Sequence, residues 1–283
     1  MTVSFLFNND SFENNGHTLD DVYDRIDDLD LLTNKIETIN KRKKKLGLEK
    51  DQYFTDLDIY EKNIYKDLTI CDFINNYTEV TRDYKVLLGS IINKSGTLNG
   101  EEIDQEIGLF KNGNSLIFDI DDLTNFYYQF FQTLTDSEIF YNGIKIHFQN
   151  ITLSINVSDT LNEIEQDLQN FAEKFVKTLI YLNDRIQDVF NETKDVRATL
   201  VRLTEEISFH ASVQGKSKDK LNFEFQDSKS KEKLKFICDP HVKYKSGEEA
   251  KVEKEYYRLY FHMGDPKIDN GNILIGHIGK HIE

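Results

Sequence analysis

The sequence predicts an α+β protein with a mainly helical acidic body and a C-terminal antiparallel β-sheet. Apolar residues recur at helical spacing through most of the first 210 residues, whereas apolar and polar residues alternate in several later segments. Charge changes at the same place: residues 1–210 contain 21 Lys and Arg against 38 Asp and Glu, and residues 211–283 contain 14 against 12. We therefore expect two domains, 1–210 and 211–283.

The body begins with a short predicted strand, Val3–Phe7, and an amphipathic helix. Apolar side chains spaced by three and four residues predict this helix over Leu19–Leu46. Its last turns contain the basic run 41–45, which resembles a nucleic-acid patch but also complements the helix macrodipole, and we favour the second explanation. Residues 50–95 predict two or three shorter helices.

A small α/β insert is expected at about residues 114–157. Within it, Ser115–Ile120 is predicted as a buried strand and Leu123–Leu134 as an aromatic-rich helix. The alternating, β-branched segment Ile144–Val157 is predicted as a further strand. The body should thus contain one region of mixed structure.

A long helix over residues 160–207 is the most regular feature of the sequence. Thr160 and Glu163 have the spacing of a capping box at its N-terminus. A continuous helix and two helices broken near Asn191 both fit the pattern. In either case the apolar residues form a core or an interface, the latter with a second copy or another protein. They repeat every seven residues: Leu161, Leu168, Phe175, Leu182, Val189, Val196 and Leu203.

The C-terminal domain is predicted to be a small antiparallel β domain. Its four predicted strands are 221–225, 234–237, 256–262 and 273–278. The dipeptides Asp265-Pro266 and Asn270-Gly271 favour turns, so the last two strands should form a hairpin with a long loop.

Histidine, arginine and lysine residues cluster in this domain. Side chains alternate along a strand, so Arg258 and His262 should share one face, and His277 would join them only in one hairpin register. His241 and Lys243 form a similar pair. Arg and Lys can neutralise a phosphate while His transfers protons, so the set suits a phosphodiester substrate. The candidate catalytic residues are Arg258, His262, His277 and His241, and the candidate phosphate-binding residues are Lys243 and Lys280.

Two of these strands resemble a known family. YYRLYF (256–261) and ILIGHIGKHI (273–282) are similar to the last strands of RelE/ParE-type toxins, bacterial ribosome-dependent ribonucleases found in toxin–antitoxin and phage-defence loci. The resemblance covers about 60 of the 283 residues. It implies phosphate or transition-state contacts by Arg258 and Lys280, and proton transfer by His262, His277 or His281. It also implies a metal-independent, cofactor-free effector that acts on RNA, within a bacterial toxin or anti-phage defence system.

Four alternatives stay open. His277 and His281, four residues apart, could contribute to a metal site, although Gly276 and Gly279 argue against the helix that would bring them together. The cluster could be the plain solvent-exposed face of a sheet, or the protein could be a non-enzymatic interaction subunit that binds its partner through the long helix. LIFDIDDLT (116–124) and GDPKID (264–269) also resemble the nucleophile and late metal motifs of the haloacid dehalogenase superfamily, although helix capping explains the first segment more simply. That resemblance implies a Mg²⁺-dependent phosphatase that uses Asp119, Asp121, Asp265 and Asp269.

Composition suggests a cytoplasmic protein. No apolar run approaches the roughly 20 residues that span a membrane, and the N-terminus lacks the pattern of a secretory signal. Cys71 and Cys238 match no metal or redox spacing, so both are expected to be reduced, buried thiols. No membrane partner is expected.

Overall fold

The computed structural model describes residues 2–12, 16–110, 116–214, 218–244 and 257–282. Over these residues the chain combines helices with several β-sheets. It forms two compact units, Met1–Tyr127 and Tyr128–Glu283. The units therefore divide well before residue 210, where periodicity and charge had suggested a boundary.

The first unit is built on a parallel sheet. Its elements are β1 (Ser4–Phe7), α1 (Leu19–Lys45), β2 (Gln52–Thr55), β3 (Asn63–Tyr65), β4 (Leu68–Thr69), α2 (Ile70–Asn75), α3 (Arg82–Lys94), β5 (Gly96–Thr97), β6 (Gln105–Ile107) and the start of α4 (Ile120–Gln132). Four strands pair in the order β5-β2-β1-β6, and every pairing is parallel. In chain order this is 3-2-1-4, the arrangement of doubly wound α/β sheets.

Helix α1 confirms the predicted amphipathic helix. The hydroxyl of its N-cap, Thr18, accepts from the Asp21 N–H at 3.2 Å, and the Asp21 carboxylate accepts from the Thr18 N–H at 2.8 Å. This reciprocal capping box fixes the start of the helix. Strand β1 confirms the predicted strand Val3–Phe7. The parallel sheet was not expected, because β2, β5 and β6 are only two to four residues long and show no clear alternation.

The predicted strand Ile144–Val157 is largely wrong. Helix α5 (Ser137–His147) includes its first four residues, β7 (Ile151–Leu153) is the only strand within it, and α6 (Val157–Asn162) includes its last residue. Ile144 and Ile146 are both buried, so their packing outweighs the β preference of branched side chains. The predicted helix Leu123–Leu134 is confirmed by α4 (Ile120–Gln132). In Ser115–Ile120, Ile117 forms a single parallel bridge with Ile107, and Ser115 lies outside the described residues.

The predicted long helix is four helices. They are α6, α7 (Glu165–Asp184), α8 (Ile186–Thr193) and α9 (Val196–Ile207). Lys194 ends α8 in the left-handed conformation, at φ 53°, and the Asp195 carboxylate caps α9 by accepting from the Ala198 N–H at 2.7 Å. This break lies close to the expected one near Asn191, but the break at Arg185 was not foreseen. Thr160 lies inside α6, so the predicted capping box does not start a helix.

The seven-residue repeat forms the core of the second unit. Six of its seven members are buried in the larger apolar core, and Val196 packs partly buried against it. The repeat thus arises from successive helices that cover one face of a sheet rather than from a coiled coil.

The sheet of the second unit is mostly antiparallel. The remaining strands of the unit are β8 (Ala211–Val213), β9 (Asn222–Gln226), β10 (Lys233–Ile237), β11 (Pro240–Tyr244), β12 (Tyr257–His262) and β13 (Ile273–Lys280). The five-stranded sheet has the order β7-β13-β12-β11-β8, in which only β7 and β13 pair in parallel. The predicted β12–β13 hairpin is confirmed. Strands β9 and β10 pair separately and cover a smaller core on the opposite face.

Candidate functional site

The candidate residues lie on the face of the sheet that is opposite the larger core. Alternation along β12 places Arg258, Tyr260 and His262 on this face. Tyr260 belongs to the smaller core, and the His262 ring lies 5.5 Å from the Phe236 ring, which packs against that core. The other β12 side chains enter the larger core: Tyr257, Leu259 and Phe261. Arg258 and His262 therefore share a face, as alternation predicts.

A β-bulge at Gly276 brings His277 to the same face. Tyr260 pairs with His277, but the next residue of β12, Phe261, pairs with Ile275, so Gly276 is an extra residue in β13. Strict alternation would have placed His277 with Ile275, which lies in the larger core. A Cβ on Gly276 would lie 2.3 Å from the Phe223 ring, so close packing requires glycine at this position.

The two histidines flank a central tyrosine across three strands. His241 lies directly opposite Tyr260, and Tyr260 lies directly opposite His277. The ring centroids are 5.1 Å and 5.8 Å apart. All three side chains are buried, with exposed fractions of 1%, 0% and 7% in that order. The row is therefore packed, and its chemistry is that of a low-dielectric environment.

Burial keeps His241 neutral. Its Nε2 lies 3.3 Å from the Ser212 hydroxyl and its Nδ1 3.3 Å from the Asp239 carbonyl. Burial lowers the pKa of His241 to about 4, partly opposed by the Asp239 carbonyl and reinforced by the charges of Arg258 and Lys243. This imidazole is a weak base at neutral pH.

His277 is also a buried, hydrogen-bonded imidazole. Its Nε2 lies 2.8 Å from the Lys280 carbonyl, so Nε2 carries the proton and donates it to that oxygen. Burial lowers the pKa of His277, and the hydrogen bond to Lys280 opposes the shift. The contact ties the ring to the end of its own strand.

Two cations lie next to this row without a carboxylate partner. Lys243 of β11 is directly opposite Arg258 of β12, and both are half-buried. Among the described residues neither forms an ion pair. Burial and the charge of Arg258 lower the pKa of Lys243. Like charges opposite each other in a sheet are unfavourable, so this arrangement costs stability unless an anion is present.

The remaining predicted residues lie away from these cations. His262 is four residues from Arg258, about 13 Å along an extended strand, and its Nδ1 accepts from the Gly264 N–H at 3.1 Å. Burial lowers the pKa of His262. Lys280 is exposed at the end of β13, and His281 follows that strand. The structure thus brings together His241, His277, Lys243 and Arg258.

Three of the four aspartates of the phosphatase-like motifs accept hydrogen bonds from backbone N–H groups. The Asp119 carboxylate accepts from the Asp122 N–H at 2.8 Å at the start of α4. Asp265 accepts from the Lys267 N–H at 2.9 Å. Asp269 accepts from the Ser228 N–H at 2.9 Å and so holds the tip of the β9–β10 hairpin. Capping and turn formation account for each of these contacts.

The sequence did not identify Gln214 as part of this region, and it assigned no role to Tyr260. Gln214 follows the short edge strand β8, and nothing in its local sequence distinguishes it. Its Oε1 accepts from Arg258 Nη1 at 3.2 Å, and the Tyr260 hydroxyl accepts from the same nitrogen at 3.0 Å. Alternation did place Tyr260 on the correct face.

No cluster of three or more metal-ligating side chains occurs in the part of the chain that the structure describes. The helices in that part include none with the length and apolarity needed to cross a membrane. No protein-family model, curated protein or solved structure matches this chain.

Proposed function

We propose that the protein is a component of a bacterial toxin or anti-phage defence system whose C-terminal sheet acts on RNA. The observation that carries this proposal is the juxtaposition of Lys243 and Arg258, two half-buried cations on neighbouring strands with no ion pair among the described residues. A phosphodiester would supply the missing negative charge.

The electrostatics favour an anionic ligand at this pair. Two like charges that face each other across strands cost about 0.2–1 kcal/mol, and partial burial weakens their screening by solvent. Burial, and then the charge of Arg258, lower the pKa of Lys243. A bound phosphate would remove the repulsion and restore the Lys243 pKa towards its ordinary value.

The same charges suit phosphodiester cleavage. When an RNA 2′-hydroxyl attacks the adjacent phosphate in line, its proton passes to solvent water, the bond from phosphorus to the 5′-oxygen breaks, and that oxygen takes up a proton from solvent. Negative charge accumulates on the phosphoryl oxygens during this exchange. Arg258 and Lys243 would stabilise that charge. We assign no proton-transfer role to His241 or His277, because both imidazoles are buried, hydrogen-bonded and weakly basic.

Binding of a fluorescent single-stranded RNA tests the proposal. With two phosphate contacts, the slope of log K against log salt concentration should be about −1.4, and Lys243→Met or Arg258→Met should reduce its magnitude to about 0.7. Lys229→Met is the matched control, because Lys229 is an exposed lysine of the same unit. It should leave affinity and slope unchanged.

The outcomes separate binding from catalysis. Cleavage of the bound RNA in EDTA, abolished by Arg258→Met and retained by Lys229→Met, would support the full proposal. Binding without cleavage would reduce the protein to an RNA-binding subunit. Equal losses in all three variants, or no binding by the wild type, would reject the site.

The alternative role as a non-enzymatic interaction subunit would need a different surface from the one first proposed. The apolar repeat of residues 160–207 is buried inside the second unit, so it cannot also contact a partner in the folded state. Light scattering of the wild type and of Leu182→Asp tests this point. If Leu182 is core, the substitution unfolds the unit instead of converting an oligomer into a folded monomer.

A further inference from the structure

Arg258 is held by one of its three guanidinium nitrogens. Nη1 donates to Gln214 Oε1 at 3.2 Å and to the Tyr260 hydroxyl at 3.0 Å. Gln214 is itself fixed, because its backbone N–H donates to the Asp239 carboxylate at 2.6 Å and lies 3.2 Å from the Asp239 carbonyl. Tyr260 is fully buried in the centre of the sheet. Two rigid acceptors thus determine the orientation of the guanidinium plane.

The opposite edge of the guanidinium has no hydrogen-bond partner among the described residues. Arg258 Nε is buried and has no hydrogen-bond partner among the described residues, and Nη2 likewise has none within them. Unpaired buried donors are rare in folded proteins, and those that occur call for an explanation. The Nε–Nη2 edge is one of the fork geometries that donate two parallel hydrogen bonds to paired oxygens of a phosphate or carboxylate.

We propose that Gln214 and Tyr260 are positioning residues that present the Nε–Nη2 edge of Arg258 to the two non-bridging oxygens of one phosphodiester. Lys243, directly opposite Arg258, adds the second positive charge as a point contact. The inference rests on the proposed RNA-binding function and adds the geometry by which that site recognises phosphate. In this geometry Arg258 donates two parallel hydrogen bonds to one phosphate, so another cation such as lysine could not replace it.

Substitutions that keep the charge but change the geometry test this inference. Arg258→Lys retains the positive charge and loses the fork, so it should weaken RNA binding by about tenfold, nearly as much as Arg258→Met. Gln214→Leu and Tyr260→Phe leave the number of cations unchanged. Each should reduce affinity several-fold while the salt slope stays at about −1.4, because no phosphate contact loses its cation. Lys229→Met again serves as the control.

The Nε–H resonance of Arg258 gives a readout that a purely structural role would not change. The chain has seven arginines, so selective ¹⁵N-arginine labelling with Arg258→Lys as the assignment reference can identify it. Inorganic phosphate or a decauridylate should shift this resonance and slow its exchange with solvent. In Gln214→Leu the resonance should broaden without ligand and respond only at higher phosphate concentration.

Different experimental results would reject the positioning inference and the proposed RNA function. If Gln214→Leu and Tyr260→Phe bind RNA like the wild type, or if Arg258→Lys does, the positioning role is wrong and the RNA site stands. If inorganic phosphate shifts the Nε–H resonance but the decauridylate does not bind, the geometry is correct and the RNA assignment is wrong. If neither ligand affects the resonance, both proposals fail.

Discussion

The two units bury positive charge in opposite ways. In the first, Lys43 is fully buried and forms an ion pair with Asp51, whose other carboxylate oxygen accepts from the Tyr127 hydroxyl at 2.9 Å. In the second, Lys243 and Arg258 are half-buried, face each other and form no ion pair among the described residues. A carboxylate within the fold neutralises the charge of Lys43, whereas the charges of Lys243 and Arg258 have no such partner among the described residues.

This difference is the one expected between a structural role for Lys43 and the proposed binding role of Lys243 and Arg258. Asp51 also accepts from the Val3 N–H at 2.7 Å and exchanges hydrogen bonds with Asn40, so the Lys43 pair ties α1 to the first two strands. Because Lys43 is buried and already pairs with a carboxylate, it is not available to bind a ligand. Arg258 Nε, in contrast, has no hydrogen-bond partner among the described residues, and the proposed phosphate would supply one.

The largest predicted effect comes from breaking the compensated pair. Asp51→Ala leaves the ammonium of Lys43 buried without a counter-charge, and it should lower the free energy of unfolding by about 3–5 kcal/mol. Urea denaturation followed by circular dichroism measures the change. Glu37→Ala is the control, since Glu37 pairs with Lys94 at the surface and exposed pairs contribute about 0–1 kcal/mol. Similar losses in both variants would contradict the distinction.

A smaller effect should appear in mild acid in the second unit. Burial depresses the folded-state pKa of His241 to about 4, while the unfolded chain protonates near its ordinary value of about 6.5. The unfolded state therefore binds more protons as pH falls between these values, and stability that is present above pH 6.5 is lost. At pH 5 the loss should be about 2 kcal/mol. His277 and His262 shift in the same direction.

Hydrogen exchange measured by mass spectrometry can localise this effect. Peptides that cover β11 and β12 should lose protection between pH 8 and pH 5 after correction for intrinsic exchange rates. His241→Phe removes the titrating group and should flatten the dependence by about the amount that His241 contributes. An unchanged pH dependence in this variant would show that His241 is not the group responsible.

The sequence predicted individual helices and strands, but not the distant residues of the chain that they contact. Alternation and turn dipeptides predicted β12, β13 and their hairpin, and apolar spacing predicted α1 almost to the residue. The spacing even places Lys43 on the buried face of α1, four residues after Ile39, but the basic run around it was interpreted only through the helix macrodipole. Its partner Asp51 comes from a tertiary contact that no local pattern encodes.

Long-range pairing explains most of what was missed. The parallel sheet of the first unit consists of strands too short to show alternation, and each pairs with strands distant in sequence. Alternation also failed at Gly276, where one extra residue turns His277 to the other face. Arg258 and Lys243 were predictable as candidates, but the position of Gln214 beside them depends on the register of the sheet.

The smallest predicted effect has the opposite sign from the first. Lys243→Met removes one of two facing cations and keeps most of the apolar stem, so without ligand it should raise stability by up to about 1 kcal/mol. Phosphate should then stabilise the wild type in thermal unfolding more than the variant, because a ligand that binds only the folded state stabilises it more the more tightly it binds. A destabilised variant with an unchanged response to phosphate would mean that Lys243 serves the fold, as Lys43 does. A stabilised variant that has lost its response to phosphate would confirm that buried positive charge stabilises the fold in the first unit and binds an anion in the second.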